Sequence, residues 1–269
     1  MTYIDTHTHT CFSSDSQTPL RAHLDAAVSL GMPAICITDH QDFDFPAEKY
    51  GMDFLFNTRD YFEELAALKE EYSGSIELLI GVELGLQSEM STDVMAYAAS
   101  WPFDFIIGSV HLVDRCDPYY REFFEDKTED EAYRRYFEEE LFCLSHYDCY
   151  DCAGHIDYIV RYGPNGNKFY SYEKFADVID EILKTVIDKG KGIECNMAGF
   201  KAGLGHPNPT EAVIKRYREL GGEIITLGSD AHKTCHLAYA FDRAKDLLAG
   251  CGFEYYTVFR GRKPEFIKL

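Results

Sequence analysis

The sequence predicts an α/β fold in which repeated strand-helix units build a parallel sheet that closes into a barrel. Short, β-branched apolar runs alternate along the chain with stretches of helical period, which is the pattern of β-α units around a parallel sheet. About seven or eight such units close most economically into a barrel, whose active face is the carboxyl end of its strands. Histidines and carboxylates follow several of these runs, and we expect them to meet at that end.

The strand predictions rest on the apolar runs and begin near the amino terminus. Strands are predicted near 3–7, 34–38, 76–82, 105–110, 151–155, 192–196 and 223–228, with one further possible strand near 255–259. Polar residues with ligand chemistry stand at or just beyond the ends of many of these runs. This repetition favours a shared site over scattered polar residues.

Amphipathic helices are predicted between the strands. The first begins near Pro19, has an apolar face that includes Leu20 and Leu24, and ends at Gly31. The segment from Thr128 to His146 carries Glu and Arg on one side and aromatic and Leu side chains on the other, as a surface helix requires. The remaining apolar faces are Tyr61-Leu65-Leu68, Phe175-Val178-Ile179-Ile182-Val186 and Val213-Tyr217-Leu220, the last two followed by Gly190 and Gly221.

An open, doubly wound sheet is the alternative architecture. It would place its site at a switch point of the strand order and is expected to carry a Gly-rich phosphate loop after the first strand. That place is taken here by His7-Thr8-His9-Thr10, which favours the barrel. The length of 269 residues fits either one barrel or two ordinary domains.

Composition argues against several classes of protein. The 46 acidic and 26 basic residues give a net charge of −20, which disfavours nucleic acid and anionic membranes as partners. No stretch approaches the ~18 uninterrupted apolar residues of a membrane span. Nine irregularly spaced cysteines, and a start without a basic region and apolar run, predict a cytoplasmic protein. We interpret Cys149-Tyr150-Asp151-Cys152 as buried thiols, and Tyr119-Tyr120 with Phe123-Phe124 as core or lid.

Two short motifs predict metal binding. His7 and His9 follow the first predicted strand, and both rings can reach one ion because side-chain direction repeats every two residues in an extended chain. Asp230-Ala231-His232 repeats that spacing with a carboxylate in place of one ring. Glu83 ends an apolar strand, where a buried carboxylate is costly unless it is paired or bound to metal. Its two oxygens suit a bridge between two ions, an arrangement that activates water for attack at phosphorus.

The motifs at the strand ends carry a resemblance to a known family. They are Ile4-Asp5-Thr6-His7-Thr8-His9, Ile37-Thr38-Asp39-His40, Gly81-Val82-Glu83, Ser109-Val110-His111, Gly154-His155-Ile156-Asp157 and Gly228-Ser229-Asp230-Ala231-His232. In this order they resemble the motifs of the PHP (polymerase and histidinol phosphatase) superfamily, most closely its histidinol-phosphate phosphatase branch. The resemblance covers residues 4–232 and implies a distorted (β/α)7 TIM-like barrel that forms a single domain over residues 1–269.

The resemblance also implies a trinuclear site for three divalent metal ions. His7, His9, Glu83 and Asp230 resemble the ligands of the first ion, Glu83 with His111 and His155 those of the second, and Asp15 with His40 and His232 those of the third. Many members have a histidine where this chain has Asp15, and a carboxylate there is similar to one branch of the histidinol phosphatases. Zn, Fe and Mn all suit such mixed ligands. Asp39 is interpreted either as a partner that orients the His40 ring or as a cap of the following segment.

The activity implied by the resemblance is metal-dependent hydrolysis of a small phosphate monoester. For the matching branch this is L-histidinol phosphate, cleaved to L-histidinol and phosphate in histidine biosynthesis. Positive side chains would compensate charge on the phosphoryl group. Arg161 resembles a family arginine assigned to phosphate. Lys201 stands where the family has a second arginine, and it lacks the bidentate fork of a guanidinium.

Further roles are predicted from position alone. Glu194 and Asn196 point one way along their strand and are expected to shape the pocket floor. His206 is a candidate donor of the leaving-group proton. Asp42 and Asp44, which follow His40, are candidates to receive the ammonium and imidazole groups of the substrate.

Three other interpretations stay open at this point. The same chemistry could act on another small phosphate ester, such as a nucleotide or sugar phosphate. A metal-storing or regulatory module without catalysis would keep the same ligands. An amidohydrolase-type barrel also opens with His-x-His, but a lysine bridge is expected there, where this chain has Glu83.

Overall fold

A computed structural model describes residues 3–88 and 91–269. Its α-helices are α1 (Leu20–Ser29), α2 (Ala47–Tyr50), α3 (Thr58–Glu71), α4 (Ser91–Ser100), α5 (Glu129–His146), α6 (Ala176–Asp188), α7 (Ala198–Lys201), α8 (Glu211–Glu219) and α9 (Phe241–Gly250). Its strands are β1 (Ala34–Ile37), β2 (His40–Gln41), β3 (Glu77–Gly85), β4 (Phe105–Ser109), β5 (Cys152–Ala153), β6 (Gly192–Asn196), β7 (Ile225–Gly228), β8 (Tyr255–Arg260) and β9 (Lys263–Lys268). None of the helices in these ranges has the length and hydropathy of a membrane span.

The main sheet is parallel and has the order β1-β3-β4-β5-β6-β7, with the short β2 beside β3. The amino-terminal segment connects its two ends. Asp5 forms a bridge to Ile35 in β1, and Thr8 forms one to Ala231 just beyond β7. The sheet therefore curls into a distorted TIM-like barrel, as the sequence predicts.

The predicted strand at residues 3–7 is extended but does not form a regular ladder. The amide of Cys36 bonds Asp5 O at 2.9 Å, and the amide of Thr38 bonds Thr8 O at 2.9 Å. The two acceptors, Asp5 and Thr8, are three positions apart, whereas the two donors, Cys36 and Thr38, are two positions apart. The amino-terminal segment therefore contains one extra residue, as in a β-bulge. The hydroxyls of Thr6 and Thr8 also donate to backbone carbonyls of the neighbouring strands, competing with ladder bonds.

The other predicted barrel strands are confirmed within a few residues, although the fifth is only two residues long. The possible strand near 255–259 is confirmed as β8, but it lies outside the barrel sheet. It pairs antiparallel with β9, which the sequence analysis missed. Gly261 and Arg262 connect the two strands with φ of 53° and 65°, the left-handed values that a tight two-residue hairpin needs.

The helices follow from the local signals of the sequence. The clearest case is α5, which begins after Thr128. The Thr128 hydroxyl accepts a hydrogen bond from the Glu131 amide, and the Glu131 carboxylate accepts one from the Thr128 amide. This capping box satisfies two amides that a helix start leaves without partners. The buried face of α5 includes Tyr136, Phe137 and Leu144, close to the predicted apolar face.

Strand β3 is the central feature for the site. All of its residues except Glu77 are buried, and it lies between β1 and β4. The same strand carries Glu83 near its carboxyl end, so that this carboxylate is enclosed by neighbours on both sides. The fold therefore supplies a buried acidic group at the active face of the barrel.

We expect Asp5→Ala to destabilise the fold, because Asp5 fastens the amino-terminal segment to the loop after β7. The buried Asp5 carboxylate accepts hydrogen bonds from Ser229 N at 3.0 Å, Ser229 Oγ at 2.6 Å and Ala238 N at 2.9 Å. Leaving these buried donors unpaired should lower the free energy of unfolding by at least ~2 kcal/mol. Denaturant titration measures this change.

The matched control is Asp188→Ala, at an exposed aspartate at the end of α6. It should change the free energy of unfolding by less than ~0.5 kcal/mol. If the two variants had equal stability, Asp5 would not have the fastening role.

Candidate metal centre

The structure gathers the nine predicted metal ligands around the carboxylate of Glu83. Glu83 Oε2 lies 3.1 Å from His7 Nε2, 3.4 Å from His9 Nε2 and 3.1 Å from His40 Nδ1. Glu83 Oε1 lies 2.9 Å from His155 Nε2 and 3.3 Å from His111 Nε2. A single fully buried carboxylate thus contacts five imidazoles from four separate segments of the sequence.

The other two carboxylates complete the cluster on its outer side. Asp230 Oδ1 lies 3.5 Å from both His9 Nε2 and His232 Nδ1. Asp15 Oδ2 lies 3.0 Å from His232 Nε2 and 3.7 Å from His40 Nε2. Asp230 has a φ of 53°, a left-handed conformation that aspartate adopts more readily than most residues. Asp15, the weakest of the sequence motifs, therefore lies at the same cluster as the rest.

Three groups of donor atoms in the described part of the chain lie close enough to hold an ion, with all atoms of a group within 4.8 Å of one another. The groups are His7-His9-Asp230, His40-Glu83-His111 and His9-His40-His232. They overlap with the three ligand sets that the family resemblance implies, but Asp15 and His155 fall outside them. The structure thus brings the predicted residues together, but its three groups of donor atoms differ in membership from the three ligand sets that the resemblance implies.

Several rings of the cluster are held by a partner at their outer nitrogen. The contacts are His7 Nδ1 to Glu194 Oε1 at 2.7 Å, His111 Nδ1 to Asp42 Oδ2 at 2.7 Å, and His9 Nδ1 to Ser13 Oγ at 3.2 Å. Each of these rings therefore presents Nε2 to the cluster. Metal-binding histidines have this arrangement, because the outer partner fixes the ring and its tautomer.

Unpaired polar atoms provide a direct test of whether a metal would fit. His9 Nε2 and His40 Nδ1 are buried, and their contacts with Glu83 Oε2 do not have hydrogen-bond geometry; a buried polar atom without a hydrogen bond costs about 1–3 kcal/mol. Both atoms belong to the groups of clustered donors. A divalent cation would satisfy them, and a mixed set of imidazole and carboxylate donors suits Zn, Fe or Mn.

The electrostatics of the cluster keep its carboxylates ionised. Burial raises the pKa of Glu83, but His7, His40 and His111 outweigh it and leave that pKa well below its usual range. Burial and the nearby His232 and His40 hold the pKa of His9 well below its usual value. An anionic carboxylate and a neutral imidazole are the forms in which these groups bind metal.

Glu83 also acts back on its neighbours. Burial lowers the pKa of His40, but Glu83 and Asp15 outweigh it and raise this pKa to about 9. Burial likewise lowers the pKa of His7, whereas Glu194 and Glu83 raise it well above its usual value. Without a cation, these two rings therefore carry positive charge that compensates the buried carboxylates. A divalent ion would take over this compensation.

Asp39 supports the cluster through a loop. Its carboxylate accepts hydrogen bonds from Thr10 N at 2.6 Å, Thr10 Oγ1 at 2.7 Å and Ser13 Oγ at 2.6 Å. Ser13 Oγ in turn accepts a hydrogen bond from the His40 amide at 3.0 Å. Asp39 thus fixes the loop behind His9 and His40. Its link to His40 runs through the Ser13 hydroxyl to the His40 backbone amide, and not to the imidazole ring of His40.

A cavity of about 340 Å³ opens above the cluster. Its wall includes seven of the nine clustered residues, Arg161, two further acids, Asp42 and Asp117, and a set of aromatic side chains. The aromatic residues are Phe45, Phe54, Tyr119, Tyr120, Tyr158 and Tyr162. The sequence analysis did not assign Asp117 to the site because it lies in a loop without a strand-end motif. The interpretation of Tyr119-Tyr120 as a lid agrees with their place at the cavity.

The predicted phosphate residues approach the cluster from one side. Arg161 Nη1 donates to Asp230 Oδ2 at 2.9 Å, and its side chain is 9% exposed to the cavity. Lys201 Nζ donates to the backbone carbonyl of Asp230 at 2.8 Å. The Arg161 and Lys201 side chains therefore both bind Asp230, a residue of the cluster. Arg161 lines the cavity, whereas Lys201 does not.

Glu194 and Asn196 lie beneath the cavity and are used to position other residues. Besides its contact with His7, Glu194 accepts a hydrogen bond from the His155 amide at 3.0 Å. Asn196 Oδ1 accepts a hydrogen bond from Arg161 Nη2 at 2.9 Å. The expected pocket floor is therefore a layer that supports the ligands, and neither side chain lines the cavity.

Asp44 and His206 do not reach the cavity wall. Asp44 has a φ of 55°, and this left-handed residue turns the chain so that its side chain does not follow that of Asp42; its carboxylate pairs with Arg115 at the surface. The His206 ring instead lies with Nδ1 2.6 Å from the carbonyl of Pro207. Position in the sequence alone therefore did not place these two loop residues at the cavity.

The chain matches known proteins over almost its full length. The sequence profile of the PHP domain family matches residues 5–198. The histidinol-phosphatase of Lactococcus lactis subsp. lactis is 33% identical over 264 residues, which are 98% of this chain and 96% of that protein. The probable histidinol-phosphatase of Thermotoga maritima is 30% identical over 269 residues, with 99% of each chain covered.

A solved structure shows the same fold. The crystal structure of histidinol phosphate phosphatase from Lactococcus lactis superposes with a TM-score of 0.90 at 33% identity, covering 97% of this chain and 98% of that chain. That protein was crystallised in complex with zinc, L-histidinol and phosphate. The likeness therefore includes both the barrel and the region of the cluster.

We expect Gly228→Ala to weaken metal binding. A Cβ at Gly228 would collide with the Glu194 carboxylate and lie 2.5 Å from His7 Cβ. It would displace the partner of a ring in the cluster, and losing such a partner typically reduces metal affinity about 10–100-fold. Titration of the metal-free protein with Zn²⁺ measures this loss.

Gly250→Ala is the matched control, because a Cβ there meets nothing within 4 Å. It should leave Zn²⁺ affinity unchanged. Equal Zn²⁺ affinity in both variants would contradict the role of Glu194 in holding His7.

Proposed function

The chain belongs to the PHP domain family, and we propose that it hydrolyses L-histidinol phosphate to L-histidinol and phosphate at the cluster around Glu83. The observation that carries this proposal is the convergence of nine ligand-type side chains beneath a cavity that also presents Arg161 and two acids. A relative 33% identical over 98% of this chain is a histidinol-phosphatase. We propose that residues 1–269 act as one metal-dependent phosphoesterase domain of histidine biosynthesis.

We assign three divalent ions, Zn, Fe or Mn, to the cluster. The ligands are His7, His9, Glu83 and Asp230 for the first, Glu83, His111 and His155 for the second, and Asp15, His40 and His232 for the third. The contacts of Glu83 with five rings support its role as the shared ligand. Bound ions would supply an activated water and would stabilise negative charge on the phosphoryl oxygens.

Arg161 is the residue we assign to the phosphoryl group. It lines the cavity beside Asp230, so a phosphate ester bound over the cluster would lie within its reach. A guanidinium offers paired N–H groups that match two phosphoryl oxygens. Lys201 adds positive charge from behind Asp230 and holds the backbone of this ligand in place. Its charge would compensate the developing negative charge without direct bidentate contact.

Other groups of the cavity wall suit the cationic part of histidinol phosphate. Asp42 lines the cavity while its Oδ2 holds the ring of His111, so that its negative charge lies close to a cation bound in the cavity. Asp117 lies nearby, and burial raises its pKa to about 6, which leaves it ionised at neutral pH. The tyrosine rings of the wall can contact a cation through their faces. Nucleotides and sugar phosphates carry no cationic group to match these acids.

The central test is a panel of phosphate monoesters with the metal-loaded enzyme. We expect kcat/KM for L-histidinol phosphate to exceed that for nucleoside monophosphates and sugar phosphates by at least ~100-fold, because two acids and several tyrosines favour a cation. Each charge-assisted contact contributes about 1.5–3 kcal/mol. Release of inorganic phosphate is the measurement.

Chelation of the metals should abolish turnover of every ester, and hydrolysis that persists after chelation would contradict the proposed mechanism.

Asp117→Asn should reduce preference for the cationic ester. The variant keeps the shape of the side chain and removes its charge, so kcat/KM for L-histidinol phosphate should fall about 10-fold or more, while that for p-nitrophenyl phosphate changes little. Steady-state kinetics with both esters give the ratio. Asp44→Asn is the matched control, since Asp44 lies outside the cavity, and its ratio should equal that of the wild type. A parallel fall with both esters would argue against a role for Asp117 in specificity.

A further inference from the structure

The guanidinium of Arg161 is held at three points by other side chains. Nη1 donates to Asp230 Oδ2 and Nη2 donates to Asn196 Oδ1, each at 2.9 Å, and Nε donates to Asn208 Oδ1 at 2.8 Å. The ring of Tyr158 lies against the group, 5.3 Å from its central carbon. A guanidinium has five N–H groups, so these contacts leave one N–H on each terminal nitrogen. Two adjacent N–H groups are what a phosphoryl group needs for bidentate binding.

Asn208 has its side-chain amide oriented by Asp157. Asn208 Nδ2 donates to Asp157 Oδ1 at 2.5 Å and, at the longer distance of 3.3 Å, to the backbone carbonyl of Asp157, which leaves Oδ1 of the amide facing Arg161. Asp157 Oδ2 accepts a hydrogen bond from the Thr210 amide at 3.0 Å. Both Asn208 and Asp157 are fully buried. Neither lines the cavity or belongs to the groups of clustered donors.

The backbone of Asn208 is fixed as firmly as its side chain. Asn208 and Asn196 exchange two backbone hydrogen bonds, of 2.8 and 2.9 Å, across an antiparallel bridge. The two asparagines that accept hydrogen bonds from Arg161 are therefore locked to each other. Asn196 lies at the end of β6, and Asn208 reaches this strand from the loop before α8. The position of Asn208, which accepts the hydrogen bond from Arg161 Nε, is thus fixed by a backbone contact between two segments.

We propose that Asp157 and Asn208 are positioning residues for the reaction, and that together they hold Arg161 with its two remaining N–H groups towards the phosphoryl group. This inference rests on the proposed phosphatase function. If the Asp157 acceptor were removed, the Asn208 amide could turn over and place its NH₂ group against Nε of Arg161. Two donors would then face each other, and the guanidinium would lose its third anchor. An arginine that has to be ordered on binding contributes less to affinity than one already in place.

The test uses zinc-loaded enzyme, with inorganic phosphate as the probe. Asn208→Ala should raise the inhibition constant of phosphate about 10-fold, the effect of one lost hydrogen bond to a charged group. KM for p-nitrophenyl phosphate should rise more than kcat falls, and zinc content should stay at the wild-type value. Asp157→Asn keeps the shape of the side chain and should shift phosphate affinity in the same direction. Asn167→Ala is the control, because its amide bonds the carbonyl of Leu204 elsewhere, and its phosphate affinity should be unchanged.

A double-mutant cycle separates positioning from a general loss of structure. In an Arg161→Ala background, Asn208→Ala should change phosphate affinity by less than ~2-fold, since the residue it positions is gone. An equal loss with and without Arg161 would overturn the proposal. So would a lower Tm of both Asn208→Ala and Asp157→Asn with phosphate affinity unchanged. If the wild type binds phosphate and passes this cycle but does not cleave L-histidinol phosphate, the proposed substrate is wrong and the positioning role stands.

Discussion

The structure depends on how one buried carboxylate, Glu83, is compensated. A fully buried anion is strongly unfavourable unless positive charge or hydrogen-bond donors surround it. Here five imidazoles lie within 3.4 Å of its two oxygens, and Ser109 Oγ donates to Oε1 at 2.6 Å. The rings come from strand ends all around the barrel. The same interaction therefore ties the fold together at its active face and creates a site that favours divalent cations.

A second layer of residues keeps these rings in place. Glu194 and Asp42 bind outer ring nitrogens, Asp39 fixes a loop behind two of the rings, and Asp5 fastens the amino-terminal segment to the loop that carries Asp230. Each of these carboxylates is itself buried, so each needs its own donors. The cluster is therefore the centre of a wider polar network, and its geometry depends on groups that would never touch a substrate.

The wall of the cavity above the cluster carries two kinds of group. Arg161 and the cluster offer positive charge and metal ligands to a phosphoryl group, whereas Asp42 and Asp117 suit a cation. A molecule with a phosphate at one end and ammonium and imidazole groups at the other matches both kinds. The strongly acidic surface of the protein, with a net charge of −20, makes such local positive groups necessary for holding any phosphate ester. The proposed function thus rests on a small cavity whose wall carries both a guanidinium and free carboxylates beside the cluster.

Local patterns of the sequence predict the strand-helix order, the barrel and eight of the nine residues of the cluster, because strand periodicity is a local property and the ends of parallel strands meet at one edge. The ninth, Asp15, lies in a loop and was implied only by the family resemblance. The local patterns did not predict the β8–β9 hairpin, the bulge near His7 or which loop residues line the cavity. Asp44 was expected in the cavity, but its left-handed backbone turns its side chain to Arg115 at the surface. Asp117 was not expected there, because it lies in a loop without a strand-end motif. The contact between Asn208 and Arg161 likewise joins residues 47 positions apart. Only the tertiary structure decides such pairs, because they depend on loop conformations and packing that no local pattern encodes.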